Sequence, residues 1–199
     1  NLQIYEDSAQ ALGAKFKGKS AGSFGIGGCI SFYPAKVLGC FGDGGAVLTN
    51  NKDIYNRIKL LRDHGRGEDG NVSIWGYNSR LDNLQAAILN FFFQTYDKTI
   101  KRRRAIATLY HENLKGLKSI YLPPPPESKG NHFDIYQNYE IEANRRDELK
   151  EYLVNNGIGT LLQWGGKAVH EFRELGFTQS LPYTENVMRN SLMLPLNMT

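Results

Sequence analysis

Apolar and polar positions along this chain repeat with two different periods, and each period predicts a different element. Short apolar runs bounded by glycine and polar residues are typical of buried strands. The predicted strands of the first fifty residues are 2–6, 29–33 and 45–49. Between the first two runs, the polar, glycine-bearing stretch 15–22 predicts a surface hairpin. A helical apolar period over 51–63, followed by Gly65, predicts a helix with a glycine C-cap, so this part of the chain is predicted to be α/β.

The middle of the chain predicts two consecutive helices and a stiff connection. Ser79 and Asp82 form a capping-box pattern, so the first of these helices is predicted to begin at Ser79. A polar interruption at 94–97 predicts a break, after which an apolar helical stripe continues to Gly116. Residues 123–126 are prolines, which have no amide donors, and they predict an extended connection.

The last third of the chain alternates between strand and helix patterns. Period-two alternation predicts a strand over 133–143, and Asn144 is the predicted N-cap of a helix that ends at Asn155. The remaining predicted elements are a strand at 158–163, short helices at 171–175 and 185–190, and a strand at 192–194. This order predicts a small α+β domain after an α/β domain, and we place the two domains at 1–93 and 94–199.

Composition excludes several classes of function. The 24 Lys and Arg residues against 20 Asp and Glu give a net charge of +4, and the one dense basic run, 101–104, falls inside a helical pattern typical of a solvated helix face. No apolar run is long enough to cross a bilayer. Cys29 and Cys40 lack metal-site spacing and are predicted to be buried free thiols in a reducing compartment. We therefore predict a cytoplasmic protein with no metal site and no nucleic-acid or membrane partner.

Candidate chemistry centres on Lys36, which lies in a glycine-punctuated turn between two predicted strands. A neutral amine in such a turn can attack a carbonyl and form a Schiff base. Asp7 ends the first predicted strand, and an acid at the carboxyl edge of a sheet faces the ligand crevice of α/β proteins. An amine and a carboxylate so placed suit pyridoxal phosphate, whose pyridine nitrogen a carboxylate keeps protonated. The alternatives are a solvated turn lysine and a turn-capping aspartate.

Four segments, in order and spacing, carry a resemblance to a known family. They are 6–14, 31–36, 42–47 and 76–81. With these segments the chain resembles the DegT/StrS family of fold-type I, pyridoxal-phosphate-dependent sugar aminotransferases over nearly its whole length. The resemblance implies part of a large domain, a mainly parallel sheet with helices, followed by a small α+β C-terminal domain. Because the chain begins directly on one predicted strand and ends directly after another, we expect a fragment that lacks the N-terminal part.

The resemblance implies a role at the cofactor for five residues. Lys36 forms the Schiff base with pyridoxal 5'-phosphate and then serves as the acid and base of the reaction, and Asp7 pairs with the pyridinium nitrogen. Gln10 lies within reach of the cofactor ring or its 3-hydroxyl, and Ser31 donates to the phosphate. Asn78 reaches the phosphate of the other subunit's cofactor, which implies a homodimer with two shared active sites.

Four further residues are expected near the substrate. Arg80 serves the substrate or the neighbouring subunit, or else forms a structural ion pair. Relatives carry a His-Tyr-Pro type of segment where this chain has Trp164 and paired glycines. That departure leaves the sugar contacts open, and we place Gln163, Trp164 and His170 near the substrate.

The activity implied by the resemblance is transfer of an amino group from L-glutamate to a keto-deoxysugar linked to a nucleoside diphosphate. The product would enter polysaccharide or glycoside biosynthesis, such as that of the O-antigen of lipopolysaccharide. Two alternatives stay open at this point: a binding or regulatory protein that keeps the fold without turnover, and a pyridoxal-phosphate-dependent sugar dehydratase. Lys36 argues against the dehydratases of this family, which carry histidine at that position.

Overall fold

A computed structural model describes residues 2–126 and 130–197, which fall into two compact units. The boundary between the units lies inside a long helix, after Ile100. The two-domain division predicted at residue 93 stays a prediction. The first unit comprises Asn1–Ile100 and Glu127–Gln137, and the second comprises Lys101–Pro126 and Asn138–Thr199.

The described residues form strands, α-helices and short 3-10 turns in mixed order. The strands are β1 (Tyr5–Asp7), β2 (Lys15–Phe16), β3 (Lys19–Ser20), β4 (Gly27–Ser31), β5 (Gly45–Leu48), β6 (Ile120–Tyr121), β7 (His132–Phe133), β8 (Tyr139–Ala143) and β9 (Ser191–Leu194). The helices are α1 (Lys52–Leu61), α2 (Asn83–Phe93), α3 (Tyr96–Leu114), α4 (Arg146–Asn155) and α5 (Pro182–Asn190). None of the helices in these described ranges is both long and apolar enough to span a bilayer.

The main sheet of the first unit contains the three strands predicted in the first fifty residues. Its order is β1-β4-β5, with β1 parallel to β4 and β5 antiparallel to β4. In register, Asp7 lies opposite Cys29, and Cys29 lies opposite Val47. Ile30 is buried, but Cys29 is exposed, so the predicted burial of its thiol is wrong. Successive residues of a strand point to opposite faces, and Cys29 lies on the face away from the buried Ile30.

A second sheet of the first unit confirms the predicted surface hairpin. Strands β2 and β3 are antiparallel, and β7 pairs with the other edge of β2. Lys17 and Gly18 both have positive φ, at 48° and 79°. A two-residue hairpin turn in which both residues have positive φ has a backbone twist that matches the twist of the flanking strands.

The apolar core of the first unit joins the loop after β4 to the helices α2 and α3. Its buried members are Leu38, Cys40, Leu89, Tyr96, Ile100 and Ile135. The hydroxyl of Tyr96 donates to the carbonyl of Leu12, which ties α3 to the turn after β1. The core therefore fixes the two connections that follow β1 and β4.

Helix α1 begins where the sequence predicts but ends differently. The side chain of Asn51 caps it by accepting from the amides of Asp53 and Ile54, at 2.9 and 3.1 Å. The C-cap is Arg62 rather than the predicted Gly65. Gly65 has a positive φ of 76°, and a Cβ there would lie 1.7 Å from the carbonyl oxygen of Ile74. This glycine is needed for a close approach of two backbone segments.

Helix α2 begins at Asn83, four residues later than predicted, and the capping-box prediction is wrong. The amide of Ser79 donates instead to the carbonyl of Arg62 at 2.9 Å, so Ser79 is bonded to the end of α1. The N-cap of α2 is Asp82, whose side chain makes no capping bond. The predicted break is confirmed, because α2 ends at Phe93 and α3 begins at Tyr96.

The second unit is a three-stranded antiparallel sheet with helices. Its strand order is β6-β8-β9, and the residues of β8 alternate between buried and half-buried. Asn144 is not the N-cap of α4, because its amide donates to the carbonyl of Ser119 and Arg145 occupies the cap position. The single strand predicted over 133–143 is interrupted at Tyr136, which has a φ of 53°.

Two further predictions in the second unit are wrong. The segment 158–163 is not a strand and makes only an antiparallel bridge between Leu161 and Met193. The chain then turns through Trp164, whose φ is 48°, and through two glycines that also have positive φ. Three consecutive residues with left-handed backbones end the extended segment at this point. A 3-10 turn spans Gln163–Gly166, and two more, at Val169–Glu171 and Arg173–Leu175, stand in place of the helix predicted at 171–175.

Candidate active site

Asp7 and Ser31 lie on the same face of the main sheet. Asp7 ends β1 and pairs with Cys29 of the parallel strand β4, and Ser31 lies two residues further along β4. Paired residues of parallel strands point to one side, and residues two apart on a strand share a face. The carboxylate and the hydroxyl therefore project from one face at the carboxyl ends of two parallel strands, where α/β proteins bind ligands.

The turn after β1 holds the Asp7 carboxylate by one oxygen. Oδ1 accepts from the amide of Ala9 at 3.1 Å, and the amide of Ser8 donates to the carbonyl of Cys29 at 3.0 Å. Asp7 is exposed, whereas Ser8 is buried. Oδ2 accepts no hydrogen bond from the described residues, so it can take a donor from a ligand. Gln10 is exposed on the same turn.

Lys36 lies in a tight turn directly after β4. Its amide donates to the carbonyl of Tyr33 at 2.8 Å, and the amide of Cys40 donates to the carbonyl of Phe32 at 2.8 Å. The hydroxyl oxygen of Ser31 accepts from the backbone amide of Tyr33 at 3.2 Å. The Ser31 side chain is therefore hydrogen-bonded to the turn that contains Lys36. Within the described part of the chain, the Nζ of Lys36 makes no ion pair. The residue as a whole is half-buried.

Gln137 holds the Lys36 turn from a distant part of the sequence. Its Oε1 accepts from the amide of Val37 at 2.9 Å, and its Nε2 donates to the carbonyl of Ala35 at 2.8 Å. Sequence reasoning missed this residue because nothing in a local pattern signals a contact across a hundred positions.

Glu6 is a second structural residue that the sequence pattern did not single out. Its carboxylate accepts from the amides of Gly22 and Gly25, both at 2.8 Å, and from the amide of Phe24. Desolvation raises the pKa of Glu6, but these backbone donors outweigh it and hold the pKa below its ordinary value. Glu6 thereby fastens the loop before β4 to the strand that carries Asp7.

Asn78 and Arg80 belong to a hydrogen-bonded group with Asp63. The Nε and Nη2 of Arg80 donate to Oδ1 of Asn78 at 3.1 and 2.8 Å, and its Nη1 donates to Oδ1 of Asp63 at 3.2 Å. The other oxygen of Asp63 accepts from Nη2 of Arg66 at 3.0 Å. The Arg66 hydrogen bond, together with the charges of Arg66 and Arg80, holds the pKa of Asp63 below its ordinary value.

The remaining predicted residues, Gln163, Trp164 and His170, lie in the second unit. Trp164 is 80% exposed, whereas His170 is 2% exposed. The Nε2 of His170 lies 3.2 Å from Oε1 of Glu185, which also accepts from the amide of Leu181 at 2.8 Å. Backbone bonding to Leu181, then the His170 contact, hold the pKa of Glu185 below its ordinary value. His170 is thus held by the start of α5, and a role in substrate binding stays a prediction.

Comparison with known proteins identifies the family. The sequence model of the DegT/DnrJ/EryC1/StrS aminotransferase family matches residues 1–199, so the chain belongs to this family. A dTDP-3-amino-3,4,6-trideoxy-α-D-glucose transaminase of Streptomyces venezuelae is 36% identical over an alignment 206 residues long, which covers 98% of this chain and 52% of that protein. A Pleiotropic regulatory protein of Geobacillus stearothermophilus is 36% identical over 199 residues, 98% of this chain and 53% of that protein. The chain spans about half the length of the curated relatives it matches.

Solved structures confirm the predicted fold class. The S. venezuelae protein DesV, in complex with a ketimine intermediate, superposes with a TM-score of 0.89 at 37% identity, covering 98% of this chain and 52% of DesV. A DegT/DnrJ/EryC1/StrS aminotransferase of Brucella abortus superposes with a TM-score of 0.87 at 35% identity, with the same coverage of each chain. The chain thus has the mixed α/β fold of part of these aminotransferases.

Proposed function

We propose that the protein is a pyridoxal-phosphate-dependent aminotransferase that acts on a keto-deoxysugar linked to a nucleoside diphosphate. The observation that carries this proposal is the placement of Asp7 and Ser31 on one face at the ends of β1 and β4, with Lys36 in the turn that follows β4. Family membership and relatives named as transaminases of dTDP- and UDP-linked sugars support it.

The first unit contains the types of side chain that pyridoxal phosphate needs for its aldehyde, its ring nitrogen and its phosphate. When bound, the cofactor supplies an aldehyde that captures amines and a ring that withdraws electrons from the substrate. Its three polar parts need an amine, an acid at the ring nitrogen and donors at the phosphate. Lys36 offers the amine, Asp7 offers an exposed carboxylate with one oxygen held by the backbone, and Ser31 offers a hydroxyl.

Each residue then has a defined task. The Nζ of Lys36 would hold the cofactor's aldehyde and, when free, would move a proton at the substrate carbon. Asp7 would accept the N–H of the ring nitrogen and so keep it protonated. Gln10 would contact the ring, and Ser31 would donate to the phosphate. Asn78 would donate its side-chain N–H to the phosphate held by a second copy of the chain, in a homodimer with shared sites.

The finer parts of the proposal concern the substrates. We propose L-glutamate as the amino donor and a product used in polysaccharide or glycoside synthesis, such as that of the O-antigen. Gln163, Trp164 and His170 contribute to the sugar site. Trp164 is 80% exposed, which supports its contact with a ligand.

A regulatory protein on the same fold is the second candidate. One specific observation favours it: a relative as similar as the transaminases is named a Pleiotropic regulatory protein. The retained pair of Asp7 and Lys36 favours catalysis instead, since a purely regulatory fold has no need of both.

Absorbance spectroscopy separates the two candidates. The protein at its native full length is reconstituted with pyridoxal phosphate and treated with L-glutamate. We expect the absorbance of the lysine-bound aldehyde to be replaced by that of the amine form, and a dTDP- or UDP-linked keto-sugar to reverse the change. Lys36→Ala should abolish both changes, whereas Lys52→Ala, at an exposed position of α1, should preserve them. A wild-type spectrum that glutamate leaves unchanged contradicts the aminotransferase and favours the regulatory protein.

A further inference from the structure

We infer that Asp63 and Arg80 are positioning residues that fix the orientation of the Asn78 side-chain amide. This inference rests on the proposed function, in which Asn78 binds the cofactor phosphate. Of the three alternatives that the sequence left open for Arg80, the inference builds on the ion pair, which Arg80 forms with Asp63.

The hydrogen bonds of Arg80 determine which way the amide of Asn78 points. A guanidinium has only donors, so the atom of Asn78 that meets Nε and Nη2 must be the oxygen. The two amide N–H donors of Asn78 consequently face away from Arg80. Without the guanidinium, the amide could rotate and present its oxygen to the phosphate, which would repel an anion.

Asp63 completes the arrangement from the other end of Arg80. Its Oδ1 accepts from Nη1 of Arg80, which leaves the Nε and Nη2 edge of the planar group directed at Asn78. An antiparallel backbone bridge between Asp63 and Asn78 sets the two residues in register. Arg80 therefore holds the side chains of Asp63 and Asn78 in a fixed arrangement relative to each other.

A role in positioning fits the exposure of these side chains better than a role in stability. The Asp63 side chain is 25% exposed and that of Arg80 is 45% exposed. Ion pairs this open to water contribute little to the free energy of unfolding. The low pKa of Asp63 keeps its carboxylate charged at neutral pH, so the arrangement persists under assay conditions.

The surroundings of Asn78 leave room for an anion. Asn78 and Arg80 line an open cavity of about 550 Å³ together with Leu81, Asp82 and Asn83. Arg80 brings a positive charge to this cavity and Asp82 a negative one, so the groups that favour an anion are Arg80, the side-chain N–H of Asn78 and the backbone amides at the start of α2.

The test compares two ligands that differ only in the phosphate. The dissociation constants of pyridoxal phosphate and of pyridoxal are measured by absorbance titration of the full-length apo-protein. For Asp63→Asn we expect pyridoxal phosphate to bind about tenfold more weakly, the size of a lost hydrogen bond to a charged group, with pyridoxal unaffected. Arg80→Lys keeps the charge but loses the planar fork, and should give the same phosphate-specific loss even if Asp63→Asn folds poorly.

Glu68→Gln is the matched control. It makes the same change of carboxylate to amide, in the exposed ion pair between Glu68, on the nearby loop, and Lys59 of α1, and it should alter neither constant. If the variants bind pyridoxal phosphate as the wild type does, or lose both ligands equally, the inference is overturned while the proposed function stands. A wild-type protein that binds neither ligand overturns the proposed function and the inference with it.

Discussion

The side chain of Gln137 brackets Lys36 by bonding to the backbone on both sides of it. One end of the amide accepts from Val37 at 2.9 Å, and the other donates to the carbonyl of Ala35 at 2.8 Å. These two hydrogen bonds join the turn that contains Lys36 to a segment about a hundred positions away in the sequence. The position of the amine in the first unit thus depends on a residue outside the sequence motif that contains it.

Replacement of Gln137 should therefore slow the reaction of Lys36. In Gln137→Ala both backbone groups lose their partner, and the free energy of unfolding should fall by about 1–3 kcal/mol. The rate at which the protein captures pyridoxal phosphate should fall as well, because the amine is no longer held in one place. Stopped-flow absorbance measures that rate, and urea unfolding measures the stability.

Gln94→Ala is the control for that substitution, since Gln94 is exposed at the end of α2. It should alter neither rate nor stability. An unchanged capture rate in Gln137→Ala would show that the turn holds Lys36 without this side chain.

Lowering the pH should reduce the contribution of Glu6 to the free energy of unfolding. The pKa of Glu6 in the folded chain lies below its ordinary value of 4.5, so its contribution to stability is present above that pH and is lost as the pH falls through the folded pKa. Glu6→Gln replaces an acceptor with a donor facing backbone amides and should cost about 1–3 kcal/mol at pH 7.

Urea unfolding from about pH 3 to about pH 7 spans the ordinary pKa values of carboxyl groups. The difference in unfolding free energy between the wild type and Glu6→Gln should shrink below pH 4.5. A difference that stays constant across this range would mean that the backbone donors do not depend on the charge of Glu6.

A pair of glycine substitutions separates backbone strain from steric clash. Gly65 and Gly70 have nearly the same φ, 76° and 82°, but a Cβ at Gly70 meets nothing within 4 Å, whereas one at Gly65 would lie 1.7 Å from the carbonyl oxygen of Ile74. Gly70→Ala should cost about 1–2 kcal/mol, the penalty of a left-handed backbone. Gly65→Ala should cost several times as much, measured by thermal or urea unfolding, and equal losses would contradict the close approach.

Local sequence patterns predicted the elements that depend on short-range chemistry. The hairpin at 15–22, the helix predicted over 51–63 and the break before Tyr96 follow from turn residues, an apolar helical period and an interruption of such a period. The position of Asp7 at the end of β1 could also be predicted, because an apolar run ends there in an acid.

The two wrongly predicted helix starts share a physical cause, which is competition from tertiary contacts. Ser79 fits a capping box, but its amide bonds to the end of α1. Asn144 fits an N-cap, but its amide bonds to Ser119. Gln137 bonds to the Lys36 turn, and Asp63 bonds to Arg80. These partners lie far apart in sequence or in loops without an apolar period, so no local sequence pattern predicts the contacts.

Chemical trapping of the cofactor tests the central claim most directly. The full-length protein is loaded with pyridoxal phosphate, reduced with borohydride, digested and analysed by mass spectrometry to locate the modified lysine. We expect a single modification, at Lys36, that is lost on competition with excess pyridoxamine phosphate and in Lys36→Ala. A label spread over exposed lysines, or carried by another lysine in the wild type, would contradict the assignment of Lys36 and with it the proposed active site.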